Sequence, residues 1–151
     1  MIATIGTQRG EGDEPHNGGC VCGAVRFEAP SRPLWAAYCH CTGCRAATGA
    51  PMTLWVGFRA AHVRWTGKQT IRPGDGAVER GFCGDCGAPL SYADATIPGG
   101  EIYLAIGAFD EPARIEPVAH AFWRSRLPFV VMDDGLPSTR RSRAREAAPM
   151  R

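Results

Sequence analysis

Seven cysteines fall into three tight clusters: Cys20-x-Cys22, Cys39-x-Cys41-x-x-Cys44 and Cys83-x-x-Cys86. An odd number cannot all pair within one chain. Neighbours one or two residues apart also suit a metal ion better than bridges between distant loops, and a set made mainly of thiolates selects zinc. Cys20 and Cys22 supply two sulfurs, and Cys83 and Cys86 supply two more from some sixty residues later. Together they complete a closed tetrahedron, a structural site of the kind that contributes on the order of 10 kcal/mol in small zinc peptides. Cys39, Cys41 and Cys44 remain, one donor short of four. An open fourth position is the mark of a catalytic zinc, whereas a second structural ion would need His62, His120 or a carboxylate to close the shell. Spacing alone leaves both readings open. His40 sits between two of these cysteines, so its side chain is expected to point away from the metal.

The rest of the chain reads as support for these loops. Its 151 residues suffice for one core. Alternation predicts strands over 24–28, 34–38, 52–58, 78–82, 89–92 and 118–123, with Ile102, Leu104 and Ile106 lining one face of another. Thr66-Gly67 predicts a hairpin between 62–65 and 68–72, and Pro73-Gly74-Asp75-Gly76 a turn. Helical signal is slight: at most one turn over 45–48, stopped by Gly49 and Pro51, and another within 109–117. Short strands, frequent turns and little helix predict a mainly β domain tied by metal. Residues 1–17 are expected to be a mobile lead-in, with His16 solvated at its end. Residues 18–137 form the domain, and 138–151 an Arg-rich disordered tail.

The start of the chain has no apolar run and carries Glu11, Asp13 and Glu14, unlike a signal peptide. No stretch approaches the roughly 20 apolar residues of a membrane span. A reducing, cytoplasmic setting is therefore expected, where thiols stay available for zinc. The formal net charge is +2, but the tail holds Arg140, Arg141, Arg143, Arg145 and Arg151 against Glu146 alone. The domain itself is slightly acidic, so nucleic acid is not an expected partner.

Four blocks occur in order: G-G-C-V-C-G-A-V-R-F (18–27), C-H-C-T-G-C-R-A-A-T-G-A-P (39–51), F-C-G-D-C-G-A-P-L (82–90), and H-A-F-W-R-S-R-L-P-F with D-D-G-L-P (120–137). This set resembles the glutathione-dependent formaldehyde-activating enzyme family, which includes centromere protein V-like proteins. The resemblance implies a β-tent of coiled antiparallel sheets. It implies two zinc ions per chain: a structural one at Cys20, Cys22, Cys83 and Cys86, and a catalytic one at Cys39, Cys41 and Cys44, the second expected to be only partly filled. The implied activity is that of an S-hydroxymethylglutathione synthase, a carbon–sulfur lyase. The late block departs from the family pattern at Trp123 and Phe129, changes expected to reshape the substrate wall.

Glutathione carries two carboxylates and one ammonium, so a slightly acidic domain needs local cations to hold it. Arg45, beside Cys44, and Arg124 or Arg126 are the candidates, because a guanidinium pairs with a carboxylate in bidentate fashion. Trp55 and Trp123 are candidate pocket walls, with core packing as the other reading. His40 is a candidate proton carrier, or else a packing residue. The competing function is a non-enzymatic zinc module that binds protein or nucleic acid through the Arg-rich tail. The oligomeric state is left open.

Overall fold

The computed structural model describes residues 14–140, and ten strands, one α-helix and four single 3-10 turns are assigned there. The expectations for 1–13 and 141–151 lie outside the described residues. A small antiparallel sheet joins β1 (His16–Gly19), β2 (Arg26–Ala29) and β5 (Arg64–Thr66) in that order. The larger sheet holds seven strands: β3 (Trp35–Cys39), β4 (Thr53–Arg59), β6 (Thr70–Pro73), β7 (Val78–Phe82), β8 (Pro89–Asp94), β9 (Glu101–Ala105) and β10 (His120–Ala121). Their order is β10-β3-β4-β9-β8-β7-β6, with every pair antiparallel except β10 with β3. The protein is mainly β, as its alternating pattern predicts.

Period-two alternation gives the large sheet two apolar faces. On β4, Val56 and Phe58 point into the main core, while Trp55 points to the opposite side; on β9, Ile102 and Leu104 face the core and Tyr103 does not. The main core joins those residues to Phe27 of β2 and to Phe109 beyond β9, so it lies between the sheets. The other face carries a second cluster of Cys39, Cys44, Trp55, Ile97 and Tyr103.

Three local expectations are corrected. Residues 64–66 and 70–73 do not form a hairpin: β5 pairs with β2, and β6 pairs with β7. Gly67, at φ +78°, turns the chain from one sheet to the other, and a Cβ there would meet the Ala24 carbonyl oxygen at 2.0 Å. His16 is not solvated. It is buried in β1 between the rings of Phe58 and Phe109, with a ring nitrogen 3.1 Å from the Ser31 carbonyl. The helix, α1 (Thr42–Thr48), starts three residues earlier than its composition suggests. Its N-cap is Cys41, whose sulfur accepts from the Cys44 N–H at 3.2 Å, a role usually taken by an oxygen. Gly49, left-handed at φ 73°, ends the helix with its N–H on the Arg45 carbonyl.

Beyond β10, the chain returns to it. The Thr139 N–H donates to the His120 carbonyl at 2.8 Å, and the Trp123 N–H donates to the Thr139 carbonyl at 3.2 Å. Ser138 and Thr139 are thus tied to β10.

Candidate functional site

The four sulfurs of Cys20, Cys22, Cys83 and Cys86 lie within 4.8 Å of one another, and those of Cys39, Cys41 and Cys44 do the same. None of the seven is in a disulfide. The first group joins the turn after β1 to the hairpin between β7 and β8, so it spans the two sheets. Cys20 and Cys22 approach to 3.5 Å, and Cys22 and Cys83 to 3.7 Å. A tetrahedron with zinc–sulfur bonds of about 2.3 Å has edges of about 3.8 Å, and these two separations match such edges. Burial works against ionising Cys20. Even so, hydrogen bonds from the Val25 N–H and from Cys22 and Cys83 bring its thiol down to about 6.

The second group grows from one strand end and one helix start. Cys39 ends β3, Cys41 caps α1, and Cys44 sits in its first turn. Hydrogen bonds from Cys39 and Cys41 hold the Cys44 thiol down to about 2, with further help from Trp55 and the nearby Arg80. Cys39 moves the opposite way, pushed far up by its bonds to Cys41 and Cys44 and by burial. Packed sulfurs can therefore ionise one at a time, and a cation is what would let all three do so. Among the described residues, no histidine, aspartate or glutamate atom joins this group.

These three cysteines open into a cavity of about 550 Å³ on the outer face of the large sheet. Its floor is a row set by register: Arg80 lies opposite Tyr92, Tyr92 opposite Tyr103, Tyr103 opposite Gly57, and Gly57 opposite Trp35. The side chains stack in the same sequence. The Arg80 guanidinium lies 4.8 Å from the Tyr92 ring centre, Tyr92 and Tyr103 are parallel at 5.4 Å, and Trp35 meets Tyr103 edge-on at 4.5 Å. Gly57 makes room for this row, since a Cβ there would fall 2.4 Å from the Trp35 ring. Trp35 is fixed by donating to Glu101 at 3.1 Å. Phe122 closes another wall in a left-handed conformation (φ 56°), which for a bulky residue stores strain of about 1 kcal/mol or more.

Of the residues expected to contact substrate, Trp55 lines the cavity, while Arg45, Trp123, Arg124 and Arg126 do not. Arg45 turns back to bond the carbonyls of His40 and Ser125 at 2.7 and 2.5 Å, tying the three-cysteine loop to the chain after β10. Arg124 is exposed on the 3-10 turn at 123–125, away from the cavity. Trp123 packs edge-on against His40 at 5.1 Å, with the Arg126 guanidinium 4.3 Å from its own ring centre. Phe129, the other departure in the late block, is 74% exposed and outside the cavity as well. None of these residues lines the cavity.

Alternation along the extended Cys39–Cys41 segment turns His40 away from the sulfurs and out of the cavity. It is fully buried, with Nε2 3.0 Å from Nδ1 of His120. His120 Nε2 in turn meets both Asp134 oxygens at 3.0–3.1 Å. Burial first, then the charges on His120, Arg126 and Arg45, depress His40 to about 4. The bond to His120 holds Asp134 below the usual carboxylate range. His120 is therefore committed to this chain of bonds and His62 is exposed elsewhere, so neither supplies a fourth ligand.

Sequence reasoning missed Arg80, Tyr92 and Tyr103. One signal was present for Arg80: it shares strand parity with Val78 and Phe82, a cation on the apolar side of a strand that leads into Cys83.

Comparison with known proteins agrees with this geometry. A Rhodobacter sphaeroides protein solved by structural genomics superimposes with a TM-score of 0.51 at 22% identity, covering 82% of this chain and 99% of that one, a likeness of fold. No curated protein matches the sequence. The family model for the glutathione-dependent formaldehyde-activating enzyme matches residues 15–125, a span that holds all seven cysteines and every residue lining the cavity, and the chain belongs to that family.

Proposed function

We propose that this protein is a zinc-dependent carbon–sulfur lyase of the S-hydroxymethylglutathione synthase type, joining a thiol such as glutathione to formaldehyde or reversing that addition. The observation that carries the reading is a trio of sulfurs facing a cavity with, among the described residues, no fourth protein donor beside them. Cys39, Cys41 and Cys44 would hold the zinc, which when bound would lower the pKa of an incoming thiol toward neutral pH. The four-sulfur group at Cys20, Cys22, Cys83 and Cys86 has no such vacancy and holds the sheets together.

The chain's own residues position and shield the reactants. Trp55, Tyr103 and Phe122 present apolar walls that exclude water from the reacting sulfur. Arg80, with its guanidinium nitrogens 3.9 and 4.0 Å from Cys44 Sγ, offsets the negative charge of the thiolates. In the addition, a sulfur–carbon bond forms, the carbonyl π bond breaks, and the thiol proton ends on the former carbonyl oxygen. No oxidant or reductant is involved. His40 takes no part in moving that proton, because it lies behind the loop.

The test is exchange spectroscopy of 13C-formaldehyde with glutathione. Zinc-loaded protein should speed exchange into the hydroxymethyl adduct, and Cys44→Ser should return it to the uncatalysed rate. Wild-type protein with two bound zinc ions and no acceleration overturns the proposal.

A further inference from the structure

We propose that Arg72 and Arg80 form an anion-binding subsite that selects thiols bearing a carboxylate a few bonds from the sulfur. The inference rests on the reading of the three-cysteine group as a thiol-binding centre.

Register makes the case. Arg72 and Arg80 face each other directly across the β6–β7 ladder. Like charges directly opposite are destabilising. Elsewhere the sheets do the reverse. Glu28 lies opposite Arg64 and forms an ion pair with it, and Arg59 lies opposite Glu101. Neither Arg72 nor Arg80 is in an ion pair among the described residues. Two opposed guanidinium groups on one face, one of them also reaching the Cys44 sulfur, make a receptor for an anion.

Position makes it a substrate subsite. Arg80 belongs at once to the wall of the three-cysteine cavity and to two adjoining hollows of about 220 and 520 Å³, and Arg72 lines both hollows. The Arg80 guanidinium is held between the Tyr92 ring and α1, where a Cβ on Gly43 would lie 3.6 Å from its terminal nitrogen. Asp94 accepts from the Thr96 N–H and hydroxyl, and Asp75, on the rim of the outer hollow, is in no ion pair among the described residues. A carboxylate one extended residue from a cysteinyl sulfur lies within about 7 Å of it. With its sulfur at the cysteines, such a thiol lays its carboxylate along Arg80 toward Arg72, where guanidinium forks pair in bidentate fashion.

Binding of small thiols to the zinc-loaded protein, followed by calorimetry, tests this. The probes are 3-mercaptopropionate and its neutral amide, with glutathione and glutathione diethyl ester as the larger pair. Wild type should bind each acid at least about tenfold more tightly than its neutral partner, the gain expected of one charged hydrogen-bonded pair. Arg72→Gln should bring that ratio toward one, with the amide's affinity and the zinc count by native mass spectrometry unchanged, and Arg80→Gln should also bring the ratio toward one. Should Arg80→Gln lose zinc, Arg72→Gln, which is not in contact with the cysteines, decides the matter alone. Equal affinity of wild type for acid and amide overturns the subsite while sparing the thiol-binding centre. Binding of no thiol at all removes both.

Discussion

Replacing one cysteine in each sulfur group should destabilise the protein unequally, and the difference can be worked out from where the ligands lie in the chain. Cys22 and Cys83 are 61 residues apart, so a metal joining them closes a long loop. The chain-entropy estimate for a closure of that length is about 4 kcal/mol. Cys39, Cys41 and Cys44 lie on one short segment, for which the same estimate is about 2 kcal/mol. That is an upper value, because pairing of β3 with β4 and the sulfur cap on α1 already hold the segment closed. Cys83 and Cys44 are both buried, so the cost of placing a serine hydroxyl there largely cancels between them. In zinc-saturated buffer, Cys83→Ser should lower Tm by about 10 °C and Cys44→Ser by about 5 °C or less. Urea unfolding followed by circular dichroism gives the same comparison at fixed temperature. With chelator present, wild type and Cys83→Ser should converge. A loss from Cys44→Ser as large as that from Cys83→Ser would refute the division between a sheet-tying and a cavity-facing group.

Two further perturbations probe the surroundings. Gly57→Ala puts a methyl 2.4 Å from the Trp35 ring, so it should cost about 1–3 kcal/mol as an overpacked site and disturb indole fluorescence from the cavity; a denaturation midpoint equal to that of wild type would contradict the described contact. His16 has its pKa lowered from 6.5, first by burial and then by Arg114. Its stabilising contribution is therefore complete above 6.5 and is lost as pH falls toward the depressed value, so His16→Gln should flatten the fall of Tm between about pH 7 and pH 5. Parallel pH profiles for variant and wild type would exclude His16 as a source of that slope.

The spacing of the cysteines determined a great deal. Sulfurs one or two residues apart must share a small volume, so the two groups were legible before any fold was known, and the second group's shortage of a ligand followed by counting. Alternation likewise gave most strands, since a side chain's face is a local property. The misplaced elements depended on distant partners. Residues 64–66 and 70–73 look like a hairpin because each is a short strand beside a turn, yet β2 and β7 claim them separately. His16 looked solvated in a polar, Gly-rich segment, but Phe58 and Phe109 come from other parts of the chain to enclose it.

The cavity wall was decided almost wholly by tertiary structure. Arg45 was attractive because it follows Cys44 in sequence, and that nearness misled, since its side chain turns back to the His40 and Ser125 carbonyls. On the extended Cys39–Cys41 segment, successive side chains point to opposite sides, so His40 faces away from the sulfurs. The residues that do face the cavity are supplied by register across β7, β8, β9 and β4, in which Arg80, Tyr92, Tyr103 and Gly57 fall into line. A sequence states which residues alternate together along one strand. Which strands lie side by side, and at what offset, is set by burying both faces of the large sheet at once, and only the folded chain satisfies that condition.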